Sequence, residues 1–139
     1  MKSAMNPAMN PAENPANQEG LLLFAHGARD AAWARPFEIV AERLRAARPD
    51  VPLVLGFLEF MSPGMEDAAA QLAEAGCRRV HVLPLFLGTG GHVRRDVPPL
   101  LDRLRDRHGD AVEWLLHAPL GEHEAVLQAM CDACLGTLA

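Results

Sequence analysis

Lysine is nearly missing from this chain: among 139 residues the only one is Lys2. Beyond that position there is no P-loop lysine to reach a nucleotide phosphate and no amine to form a Schiff base. Serine is almost as scarce, at Ser3 and Ser62, and neither lies in a Gly-x-Ser-x-Gly elbow. A serine hydrolase is therefore disfavoured, although His26-Gly27 looks like a fragment of an oxyanion loop. Gly88, Gly90 and Gly91 make a glycine turn, but Val93 stands where a dinucleotide fingerprint needs its third glycine, so support for that site is weak. A phosphate-transfer histidine usually follows arginine, and here Ala25 precedes His26. Basic charge is also short. Lys plus Arg number 13 against 18 Asp plus Glu, for a net charge of −5, which makes nucleic acid a poor partner. Three cysteines cannot all pair within one chain and are too few for a stapled secreted module, which fits a reducing cytoplasm. No segment reads as a signal peptide or membrane span, and a soluble protein with no membrane partner is expected.

Half of the residues are apolar, which suits one core and is too little for two ordinary domains. Asn-Pro-Ala repeats at 6–8, 10–12 and 14–16 block regular structure, so residues 1–19 read as a flexible tail before a domain at 20–139. From Gly20 the pattern alternates. Short apolar runs at 21–25, 51–58, 79–87 and 112–116 read as strands. Helical spacing follows each, at Phe37, Val40, Ala41, Leu44 and Ala47; at 65–75 with Ala68, Ala69 and Leu72 inward; at Val97, Leu100, Leu101 and Leu104; and at Val126, Leu127, Met130 and Cys134. The order β-α-β-α-β-α-β-α predicts an α/β fold: a mostly parallel four-stranded sheet with helices on both faces. Strand order is not readable.

In such a sheet, ligands bind outside the carboxyl ends of the strands. His26 ends the first predicted strand, Glu59 ends the second and His92 follows the third, so the fold carries all three toward one edge. Two imidazoles and a carboxylate suit a first-row divalent ion such as iron, cobalt, nickel or zinc, with coordination positions left open. Taken singly, each has an ordinary reading: a loop histidine is usually solvated, and Glu59 would serve equally as a rim charge.

Several ordered segments together resemble one family. Phe24-Ala25-His26-Gly27-Ala28-Arg29-Asp30 with Trp33 and Pro36-Phe37, Phe57-Leu58-Glu59-Phe60, Leu83-Pro84-Leu85-Phe86-Leu87, Gly90-Gly91-His92-Val93 and Asp96-Val97-Pro98 are similar to the small class II chelatases that act on sirohydrochlorin. These are the cobaltochelatases and ferrochelatases of cobalamin (corrinoid) and sirohaem synthesis, and the likeness spans most of 21–138. The resemblance implies a chelatase-like fold and ATP-independent insertion of cobalt, iron or another divalent ion into a tetrapyrrole. It implies His26 and His92 as the metal-binding pair, Glu59 as the nearby acid, and no cofactor beyond the metal substrate. Longer relatives hold two such domains across a cleft, so a homodimer is expected of a one-domain chain.

A macrocycle loses two pyrrole protons as the metal enters, so neutral imidazoles and a proton acceptor are the residue types required. Which of His26, His92 and Glu59 takes the protons stays open, since a histidine nitrogen that ligates the metal cannot also accept a proton; histidine is favoured for both roles, with Glu59 assisting. Arg29, Arg94 and Arg95 flank the two histidines as candidates for the substrate's carboxylates. Phe60, Met61 and Leu87 are candidates to face the macrocycle, with rim or core packing as the plainer use. A non-catalytic metal or tetrapyrrole carrier would use the same histidines. Cys131 and Cys134 share a helix face and are expected to be buried free thiols. His81 and His108 are expected to be structural, and the roles of His117 and His123 stay open.

Overall fold

The structure is a computed structural model that describes residues 18–88 and 90–139, with residues 91–93 in their backbone alone. Most of the predicted 1–19 tail lies outside the described residues. Glu19, read as the tail's last residue, is instead the first residue of β1.

Four strands, β1 (Glu19–Ala25), β2 (Leu53–Phe57), β3 (Arg79–Pro84) and β4 (Glu113–Leu116), form one parallel sheet in the order β2-β1-β3-β4. They alternate with α1 (Arg35–Ala47), α2 (Met65–Glu74), α3 (Gly91–His108) and α4 (Glu124–Leu135). The near-continuous apolar run of β1 is what a central strand needs, because both of its faces are covered. Leu22, Leu23, Phe24 and Ala25 are each 1% exposed or less. Leu22 and Phe24 meet Ala68 and Leu72 of α2 and Val97, Leu101 and Leu104 of α3. On the other face Leu23 and Ala25 meet Leu55, Phe57 and Ala41 of α1. The expected two-sided α/β sheet is therefore present.

Boundaries differ from expectation most at three places. β2 is shorter than 51–58, running Leu53–Phe57. The apolar run 79–87 leaves the sheet at Pro84, which lies opposite Phe24 near the end of β1, and one further bond from Leu85 N to Phe24 O closes the ladder. Beyond it Phe86 turns into the core. α3 starts six residues before Val97, at Gly91, and passes through Pro98 and Pro99. Those prolines remove two helical donors and disguise the first two turns as a loop. His92 accordingly lies in the first turn of α3 rather than in the loop after β3.

One expectation fails outright. Cys131 and Cys134 are exposed, not buried, because α4 buries none of its residues against the sheet. The one buried thiol is Cys77, whose pKa burial pushes up.

Candidate functional site

The carboxyl ends of β1 and β2 are stitched together beyond the strands. Leu58 N donates to Ala25 O and Glu59 N to His26 O, each at 3.0 Å. This continued ladder sets His26 and Glu59 side by side. It demands a glycine next: Gly27 has φ +95°, and a Cβ there would stand 1.8 Å from the Glu59 carbonyl oxygen. After Glu59 the chain reverses in a three-residue turn, with Met61 N on Glu59 O at 2.8 Å and Phe60 held at φ 67°. A bulky residue at positive φ is strained by about 1–3 kcal/mol, a pattern that clusters at functional loops. Phe60 is 59% exposed, and the Arg29 guanidinium lies over its ring at 4.9 Å from the centroid.

His26 is half-buried and its ring rests on Phe86, with centroids 4.6 Å apart. Phe86 in turn contacts Phe24 in the core at 5.0 Å. The imidazole is thus backed by an apolar stack. It opens, together with Glu59, into a cavity of about 750 Å³ between the sheet edge, the start of α2 and one side of α3. Acids gather there: Glu66 and Asp67 in the first turn of α2, where the helix dipole favours them, and Asp96 of α3. Arg103 and Arg107 complete the wall, and Arg103 Nε lies 3.6 Å from Glu66 Oε2. The cavity therefore combines an imidazole and carboxylates, which attract a cation, with guanidinium groups, which bind carboxylates.

Of the predicted site residues, His26 and Glu59 come together in this cavity. His92 is placed by its backbone in the first turn of α3, one turn before Asp96; its side chain lies outside the described residues. Arg29 is exposed on the Phe60 turn, and Arg94 is exposed on α3, its backbone N–H bonded to Gly90 O. Neither lines the cavity. Among the described residues no three His, Cys, Asp or Glu side chains converge as a metal cage. Arg103 and Arg107 escaped the sequence reading. Their signal was the stripe Asp96, Pro99, Arg103, Arg107, spaced three to four residues apart and running beside the buried stripe Val97, Leu100, Leu101, Leu104.

His81 has the structural role expected of it. Its Nε2 lies 2.6 Å from Glu19 Oε1 and its Nδ1 2.9 Å from His117 Nε2. That hydrogen bond holds the Glu19 carboxyl below its usual pKa. His108 ends α3 with its ring 5.3 Å from Trp114, and His123 caps α4 by accepting from Ala125 N. Among the described residues no helix is long and apolar enough to cross a membrane.

Residues 20–135 match the family model described as CbiX. A sirohydrochlorin cobaltochelatase of Saccharolobus islandicus is 33% identical over 112 residues, covering 77% of this chain and 86% of the relative. One from Sulfurisphaera tokodaii is 29% identical, covering 80% and 87%. Among solved structures, a putative cobalamin biosynthesis CbiX protein from Marinobacter aquaeolei superposes with TM-score 0.76 at 29% identity, over 86% of this chain and 96% of that one. The sirohydrochlorin chelatase SirB of Bacillus subtilis, solved in complex with cobalt, has the same fold (TM-score 0.74, 23% identity), and this chain spans 50% of its length.

Proposed function

The chain belongs to the CbiX family, and from that premise we propose that it is a chelatase inserting cobalt or iron into sirohydrochlorin, without ATP. The observation that carries the reading is the pinned pair His26 and Glu59, opening together into the acidic, arginine-rimmed cavity at the carboxyl edge of the sheet. Relatives that share the family are named for cobalt insertion into this tetrapyrrole.

The reaction exchanges one divalent ion for two pyrrole protons. Glu59, Glu66, Asp67 and Asp96 draw the cation toward the cavity, and His26, together with His92 as the family resemblance implies, would hold and pass it. Phe86 behind His26 fixes the ring against one side and excludes water there. Of the two pyrrole protons released, one would pass to Glu59 beside the ligating imidazole and the other to a second carboxylate of the cavity wall or to the solvent that fills it. The macrocycle's own carboxylates meet Arg103 and Arg107 on the wall and Arg29 and Arg94 further out. Nickel is a third candidate ion, since all three suit imidazole and carboxylate ligands. A homodimer in the cytoplasm is part of the same proposal; its support is that this chain matches half the length of SirB with the same fold, so that two copies would build a comparable pair of domains.

The carrier reading is separated by turnover. Sirohydrochlorin mixed anaerobically with cobalt(II) or iron(II) and substoichiometric protein is expected to convert many equivalents above the spontaneous rate, followed by absorbance. Conversion that stops at one equivalent per chain identifies a carrier. A rate equal to the protein-free one removes the chelatase reading for this substrate.

A further inference from the structure

Two large apolar side chains stand out to solvent at the carboxyl edge of the sheet. Phe60 lies three residues past Phe57, the last residue of β2, and is 59% exposed. Leu87 lies three residues past Pro84, the last residue of β3, and is 71% exposed. Because β1 runs between β2 and β3, the loop that carries His26 emerges between theirs. Neither Phe60 nor Leu87 lines the acidic cavity.

In both places the backbone is fixed, so the exposure belongs to the fold. The loop at Phe60 is closed at its base, where Phe57 N donates to Pro63 O at 3.0 Å, and again at its tip, where Met61 N donates to Glu59 O at 2.8 Å. Met61 packs inward against the core on the α1 side and leaves Phe60 outside. A hydrogen bond from residue i+2 back to residue i, around a central residue at φ 67°, marks the rare and strained form of the three-residue turn. Glycine adopts that φ without steric cost. The Leu87 segment is clamped instead by Gly121, whose N donates to Phe86 O at 2.8 Å and whose Cβ, if present, would stand 2.0 Å from Leu87 O.

Phe60 therefore bears backbone strain while burying little of its ring. Its one ring contact is the Arg29 guanidinium, 4.9 Å from the centroid, and an exposed contact of that kind offsets only part of the strain. A side chain kept against stability and left open to solvent points to a ligand. We propose that Phe60 and Leu87 form an apolar ledge that supports the tetrapyrrole beside His26, which makes them specificity-determining residues of the site. Their strands are two spacings apart, about 10 Å, a breadth that suits a ring of four pyrroles. The ledge meets the apolar face of the macrocycle, and the guanidinium N–H groups of Arg29, uncommitted by stacking on the ring, remain free for a carboxylate at its margin. The inference rests on the tetrapyrrole reading above and specifies which side chains recognise the ring.

The test is an anaerobic titration of the full chain with metal-free sirohydrochlorin, paired with the KM for that substrate in cobalt(II) insertion. Phe60→Gly should raise Kd and KM about tenfold without lowering the thermal midpoint, since glycine relieves the turn. Phe60→Tyr, which keeps the ring, should restore binding. Leu87→Ser should raise Kd about fivefold. Wild-type affinity in either the glycine or the serine variant overturns the ledge and leaves the chelatase reading standing. A lowered thermal midpoint in Phe60→Gly also overturns it, because packing within the chain would then account for the ring. Altered sedimentation in either variant overturns it as well, by showing that these side chains meet another chain. A wild-type chain that binds no sirohydrochlorin overturns both readings.

Discussion

The sheet's two faces divide the labour of the molecule. Under α2 and α3 the apolar surface is sealed, with Leu22, Phe24, Leu72 and Leu104 at 1% exposure or less, and the candidate site opens at the carboxyl edge of this sealed side. Under α1 the surface is complete along β1 and β2 and unfinished along β3 and β4. A site that must hold an imidazole and a carboxylate in fixed relation gains from a rigid backing. The half of the other face that lies over β3 and β4 has no such backing.

The sharpest way to break this contrast is a matched pair of truncations. Leu104→Ala, on the sealed face, should cost about 2–5 kcal/mol in urea denaturation, whereas Leu115→Ala, on the open half, should cost about 1 kcal/mol or less at protein concentrations where the chain is monomeric. Equal losses would mean that the open half is packed as tightly as the other. Next in size, Gly27→Ala puts a Cβ into the Glu59 carbonyl at a positive φ, and a loss of about 1–3 kcal/mol together with at least a tenfold fall in insertion rate is expected. A variant of unchanged rate would separate the stitched ladder from the chemistry.

Arg103→Ala removes a cavity-wall guanidinium whose partner Glu66 is itself half exposed, so stability should change by no more than about 0.5 kcal/mol. Its effect should fall on KM for the tetrapyrrole, raised about tenfold, as for a lost charged contact to a carboxylate. A rise in KM for Arg29→Ala but not for Arg103→Ala would move the carboxylate contacts out to the Phe60 turn.

The smallest effect concerns the open face. The His81 hydrogen bond depresses the pKa of Glu19, so its contribution to stability is present above the ordinary glutamate value near 4.5 and is lost as pH falls through the lowered one. Glu19→Gln should flatten the acid limb of stability against pH; an unaltered limb would mean the pair is broken in solution.

Much of this was legible in the chain. Strands and helices alternate with clear changes of period, whereas the strand order, and with it the central place of β1, was not readable. His26 and Glu59 were readable because strand ends in a parallel sheet share one edge. The start of α3 was hidden by Pro98-Pro99, which local rules place at a helix's first turn rather than two turns inside it. Arg103 and Arg107 were overlooked for another reason: the periodicity reveals the buried face of α3 and not which of its exposed flanks borders the cavity. The exposure of Cys131 and Cys134 was beyond sequence pattern altogether. Periodicity reveals that α4 has an apolar side, and it does not reveal whether that side meets its own sheet.

The most direct test of the central claim is the rate of metal insertion into sirohydrochlorin by His26→Ala, measured anaerobically beside tetrapyrrole binding by the same protein. Loss of a ligating or proton-handling imidazole should lower the rate by about 10²–10⁴-fold while binding stays within a few-fold. A variant that inserts metal at the wild-type rate would contradict the assignment of the site to the edge where β1 and β2 end.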